Sequence, residues 1–253
     1  MNLRNFRYHI SESFPAARLC LCIAVIAFAA VVSTYRYIDL AGLAAIAFSC
    51  YEAAWLVISD SVNLVYIFLP LYVFLVCGIM FDNNFGAAEI LKCGSRGRWF
   101  LNKYVTFLFY TVLYFLALAG IILAVCSNVF PGGAAWSRDF VNLRVMLGQS
   151  ALDFAYSPLQ TIGLFLAGYF LYYLMVGSIS MLVSLLKDKE PLSLAVSLAV
   201  GIAGGLLWDE LMEGRSAADY ARSAIVFLAV TAALVLVCLR IAKTKDIQTE
   251  RAG

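Results

Sequence analysis

Residues able to do chemistry are sparse in this sequence, and they do not gather. There is one histidine, His9, which argues against a His-based metal site or a catalytic triad. Seven cysteines carry no CxxC pair and no disulfide-framework spacing. Cys20, Cys22, Cys77 and Cys238 lie in apolar runs, where cysteine acts as a small packing residue. Cys50 and Cys126 are expected on the same side, close enough in topology to leave a pairing open. The densest acidic group, Asp209, Glu210, Glu213 and Asp219, alternates with Arg215 and Arg222 and reads as a solvated helix-turn segment. No GxxxxGK[ST] phosphate loop is present, so the chain is not expected to hydrolyse ATP by that route. It is not expected to be an enzyme, and no directly bound cofactor or metal is expected.

The most informative polar stretch is 81–103. Asp82 or Asn83 can cap a short helix running to about Lys92. Gly94 suits the left-handed position that ends such a helix. Ser95, Arg96, Gly97 and Arg98 make a polar turn, and Trp99 and Phe100 re-enter at the interface, where aromatic rings anchor.

The elements that would position this stretch are membrane spans. Of 253 residues, 63% are hydrophobic and only 13% are charged, against about 25% charged in an ordinary soluble domain. That balance excludes a soluble globular enzyme, a disordered chain and a nucleic-acid binder with a basic surface. The fold expected is all-α, a polytopic membrane protein forming one transmembrane domain over 1–253. A crossing takes roughly 20 apolar residues. Six runs qualify, at 17–35, 61–81, 104–126, 158–186, 191–208 and 221–241. The stretch 40–59 contains Glu52 and is bounded by Asp39 and Asp60; it reads as an external or re-entrant amphipathic segment.

Charge sets the orientation. With six spans and both termini cytoplasmic, 13 of the 18 Lys and Arg residues fall inside, every lysine among them. Leu3, Phe6, Ile10 and Phe14 recur at helical spacing around Arg4 and Arg7, up to Pro15, and predict an interfacial helix over 1–15. The long outer loop 127–157 repeats apolar residues at Phe140, Leu143, Leu147, Ala151 and Phe154 behind Asp139, and predicts an outer-surface helix capped by that aspartate. Arg18 and Arg222, near span ends, are expected to snorkel. Gly201-Ile-Ala-Gly-Gly205 contains a GxxxG pair suited to close helix approach, within this chain or between subunits.

The run Glu89 to Phe100, EILKCGSRGRWF, with its Gly-Ser-Arg turn and an aromatic-rich span behind it, resembles the permease subunits of ABC transporters of the ABC-2 exporter type. More specifically, it looks like the small bacterial permeases of about six spans. The order of parts matches that family along the whole chain, whereas the local motif covers about a dozen residues. The resemblance implies a bacterial plasma-membrane protein whose segment 82–103 is a cytoplasmic coupling segment. It implies a cytoplasmic ATP-binding cassette subunit as partner, through which ATP acts, and a second permease subunit, identical or related. It implies outward movement of a hydrophobic or amphipathic substrate such as a peptide, lipid or drug. Carried onto this chain, the coupling residues are Phe85, Glu89, Ile90, Leu91, Gly94, Ser95, Arg96 and Trp99. Phe85, Ile90 and Leu91 would fill a groove on the ATPase, with Glu89 and Arg96 at its rim. The plainer reading puts those apolar residues on the membrane face and Arg96 and Arg98 on lipid phosphates. A different class of function, a non-transporting membrane scaffold or sensor, would use the same loop to bind a cytoplasmic partner.

Overall fold

In the computed structural model the described residues are 16–44, 46–80, 93–146, 156–187, 189–212 and 217–244. They are helical nearly throughout, with no strand among them. In chain order the helices are α1 (Ala16–Ala44), α2 (Cys50–Ser59), a π-helical segment (Val62–Phe68) leading into α3 (Leu69–Val76) and a 3-10 turn (Cys77–Met80), α4 (Arg96–Val129), α5 (Arg138–Met146), α6 (Pro158–Leu186), α7 (Glu190–Met212) and α8 (Ala217–Thr244). The predicted interfacial helix over 1–15 lies outside the described residues, as do 81–92 of the coupling segment.

Five helical stretches are long and apolar enough to cross a membrane, not the six expected: Ala16–Gly42, Val62–Ile79, Arg96–Val129, Pro158–Leu186 and Arg222–Thr244. The exception is α7, whose apolar stretch Glu190–Leu206 is short. The helix itself runs on to Met212, 23 residues in all. Its packing is nonetheless that of a bundle helix. Glu190 reaches Arg18 beside Cys77, Gly201 abuts Leu69, and Gly205 abuts Val65, so α7 runs antiparallel to the second stretch over most of its length.

Helix starts are chemically specified. Ser49 and Glu52 form a reciprocal capping box on α2. Ser157 and Gln160 do the same on α6, with Pro158 in its first turn, where no N–H is required. On α4 the buried face repeats every three or four residues: Phe100, Lys103, Phe107, Tyr110, Tyr114, Leu118, Ile122 and Cys126. Two bundle seams depend on small residues. A Cβ at Gly177 of α6 would lie 2.4 Å from the Phe107 ring and 2.6 Å from the Tyr72 hydroxyl, so only glycine fits between those helices. At the turn between α6 and α7, Ser180 and Ser193 share a hydrogen bond of 2.9 Å, and Ser184 donates to Ser193 at 3.0 Å.

The structure revises several boundaries. The first helix continues past 35 to Ala44, taking the start of the predicted external segment with it. Tyr37 anchors that extension by donating to the Leu56 carbonyl at 3.1 Å. The remainder of that segment, α2, is enclosed by α1, α4 and α6 and buries most of its residues. The helix in the loop 127–157 exists as α5, but Ser137 rather than Asp139 caps it: its Oγ accepts from the Phe140 N–H at 3.2 Å, and Asp139 falls in the first turn. Of its predicted apolar face, Phe140 is buried and Leu143 half-buried, while Leu147, Ala151 and Phe154 lie outside the described residues. The GxxxG glycines face this chain's own Leu69, Val176 and Val65. Cys50 and Cys126 are both buried free thiols.

Candidate functional site

The end of the bundle that carries Arg18 holds the described part of the predicted coupling segment. Gly94 adopts φ +72°, the left-handed conformation anticipated for it. Ser95 is fully extended, and its Oγ accepts from the Arg98 N–H at 3.3 Å, opening α4 at once. Arg96, Gly97 and Arg98 are therefore the first turn of α4 and not a polar loop. The local reason is the pairing of a left-handed glycine with an N-capping serine, which compresses the corner into two residues. Trp99 and Phe100 likewise depart from the expectation of an interfacial anchor: they are 4% and 0% exposed, turned into the protein. Asn102 donates to Cys93 Sγ at 3.5 Å and ties the corner back across Gly94. Phe85, Glu89, Ile90 and Leu91 lie outside the described residues.

Composition did not point to a second cluster at this end. Arg18 is tied to three partners. Its Nη2 donates to Glu190 Oε1 at 2.7 Å, and its Nη1 donates to the Phe74 carbonyl at 3.3 Å. The guanidinium lies 5.0 Å from the Phe74 ring centroid. The Cys77 thiol lies 3.7 Å from Glu190 Oε1. Gly78 makes room, since a Cβ there would sit 2.4 Å from Arg18 Nη1. One side chain thus joins α1, the end of the second stretch and the start of α7. The signal available in the sequence was a lone arginine two residues into an apolar helix, with a lone glutamate heading another.

The second stretch ends at Met80, just after the Arg18 clasp, and Cys93 stands just before the capped start of α4.

Between the two ends of the bundle lies a tyrosine core. Tyr173 donates to the Leu64 carbonyl at 2.8 Å and Tyr114 to the Phe68 carbonyl at 2.6 Å. Tyr172 donates to the Gly201 carbonyl, and Tyr72 bonds Thr111 at 3.1 Å. Two of these acceptors belong to the π-helical segment, which precedes Pro70. A proline ring clashes with the carbonyl four residues earlier, here that of Tyr66; a widened π turn relieves the clash and turns carbonyls aside for other donors.

At the opposite end Glu52 is fully buried. One carboxylate oxygen accepts from the Ser49 N–H at 2.7 Å, and the other accepts a short hydrogen bond from the Ser137 N–H. The carboxylate thereby fastens α2 to the segment preceding α5. Trp55, Trp136, Phe140 and Phe48 close over it edge to face or stacked, and Arg144 lies 5.5 Å from the Trp55 ring. Among the described residues no three His, Cys, Asp or Glu side chains are grouped to hold a metal.

No protein-family model, curated protein or solved structure matches the chain.

Proposed function

We propose that this chain is the membrane-spanning permease subunit of an exporter of the ABC type. It works with a separate cytoplasmic ATP-binding cassette subunit and a second permease subunit, and moves a hydrophobic or amphipathic substrate outward. The observation that carries this reading is the pair of anchored ends on either side of 81–92, the Arg18 clasp before Met80 and the capped start of α4 after Cys93. A load applied there by a soluble partner pulls on the Arg18 clasp, which joins three helices, and on the start of the 34-residue α4. Helices are stiff over such lengths, so displacement at one end is delivered to the tyrosine core. Gly94, Ser95 and Trp99 hold the anchor on the α4 side, and Phe85, Glu89, Ile90 and Leu91 meet the partner. Arg96 lies in the first turn of α4.

In this reading the Arg18 end is cytoplasmic, α7 is the sixth crossing, and the membrane is a bacterial plasma membrane. The Lys and Arg distribution supports that orientation.

The test is recovery of the tagged chain in mild detergent from its native host. A stoichiometric soluble ATPase is expected in the complex, lost from the Phe85→Ala/Glu89→Lys variant while the chain itself remains folded. Recovery without any ATPase, under conditions that preserve other membrane complexes, would favour a scaffold or sensor using the same loop.

A further inference from the structure

At the corner where α4 begins and α8 ends, residues about 140 positions apart come together. A Cβ at Gly97 would lie 3.2 Å from Lys243 Cε and 3.8 Å from a Leu239 methyl, so the stem of Lys243 lies across the first turn of α4. Arg98 follows Gly97 directly, and Arg240 stands one turn before Lys243; all three cations are exposed. The first turn of α4 contains no acidic residue. A helix start favours anions and disfavours cations, because its N–H groups carry about half a positive charge. Arg98 therefore stands against the local preference, and the last turn of α8 brings Lys243 to the same corner, with Arg240 one turn before it. The carbonyl end of α8 offsets part of that field and leaves the charge of the three side chains. The same two helices expose Leu101, Leu236 and Val237, an apolar surface suited to acyl chains.

We propose that Arg98, Arg240 and Lys243 form a binding site for the phosphate of an anionic phospholipid, lodged at the α4–α8 corner. The charge selects a monoanionic headgroup over a zwitterionic one, since a choline or ethanolamine cation would add to the positive charge already there. Arg98 supplies a planar fork to the phosphate and Lys243 a point charge held in place by its stem against Gly97. The site is independent of any ATPase partner.

Thermal unfolding of the purified full chain in mild detergent, with phosphatidylglycerol or phosphatidylcholine added, tests this directly. Phosphatidylglycerol is expected to raise Tm well beyond phosphatidylcholine at low salt, with the difference shrinking as salt rises. The Arg98→Gln/Arg240→Gln/Lys243→Gln variant is expected to weaken the preference for the anionic lipid by about a hundredfold. The charge-conserving Arg98→Lys/Arg240→Lys variant should keep most of it. Equal effects of the two lipids on the wild-type chain at low salt would overturn the proposal without recourse to any variant. So would full preference in a folded triple variant, or an equal Tm rise from inorganic phosphate at the same concentration, which would indicate a free-anion site.

Discussion

Arg18 is a small lesson in how one polar side chain organises an apolar bundle. Its pair with Glu190 is partly exposed, at 30% and 39% of the two side chains, so the ion pair alone is worth little more than a surface bridge. Its other contacts carry as much weight: the Phe74 carbonyl, the Phe74 ring and the gap above Gly78. Glu190→Gln should therefore cost about 1 kcal/mol, and Arg18→Ala about 2 kcal/mol, because the latter strips several contacts at once. Gly78→Ala drives the guanidinium out of place, but only by pushing the far end of a flexible side chain. It should cost no more than losing the clasp, and almost nothing in an Arg18→Ala background. Thermal unfolding of the four chains of that cycle measures the coupling; additive losses would mean that Gly78 is required for another reason.

The element that most departs from regular geometry is the second stretch, where a π segment, Pro70 and a 3-10 end follow one another. It is held by hydroxyls from its neighbours. Removing the Tyr173 hydroxyl with Phe should cost about 1 kcal/mol, the usual net worth of a buried hydrogen bond. Tyr72→Phe should cost less, about 0.5 kcal/mol, because Thr111 still donates to the Phe107 carbonyl and its hydroxyl keeps a partner. A larger loss for Tyr72 than for Tyr173 would show that the hydroxyls do not support the π segment. Irregular backbone at bundle depth is tolerated only where protein groups satisfy it, and here tyrosine hydroxyls do so.

Across the whole molecule, burial separates enclosed thiols from accessible ones. Cys20 is exposed, while Cys22, Cys50, Cys77, Cys93, Cys126 and Cys238 are buried, spread from one end of the bundle to the other. A lipid-soluble maleimide should label Cys20 ahead of the other six in the folded chain, and all seven after denaturation, read by peptide mass. Labelling of Cys50 or Cys126 at the rate of Cys20 would mean that the Glu52 end is open. Labelling of Cys77 at that rate would mean that the Arg18 clasp is. The least enclosed helix, α8, exposes Ile225, Val226, Leu228 and Leu236, as expected of a helix that faces hydrocarbon.

The all-helical, membrane-embedded character follows from composition, since long apolar runs without charge have no other stable home. Gly94 and Ser95 were legible as the punctuation before α4 because a left-handed glycine and an N-capping serine act through their own backbone. Long-range contacts were not legible. Arg18 reads in the sequence as a lone cation near a span end, and its partner Glu190 stands 172 positions away. Glu52 looked like a mark of amphipathic exposure until the Ser137 N–H gave its carboxylate a buried partner. Trp99 and Phe100 looked like interfacial anchors, and the packing of the bundle turned them inward. The sequence by itself determined where helices form and start, because caps, turns and apolar length act within a few residues. Only the tertiary structure decided which polar side chains are satisfied and where, because a buried charge or hydroxyl is stabilised by whichever donor or acceptor the fold brings to it, at any separation along the chain.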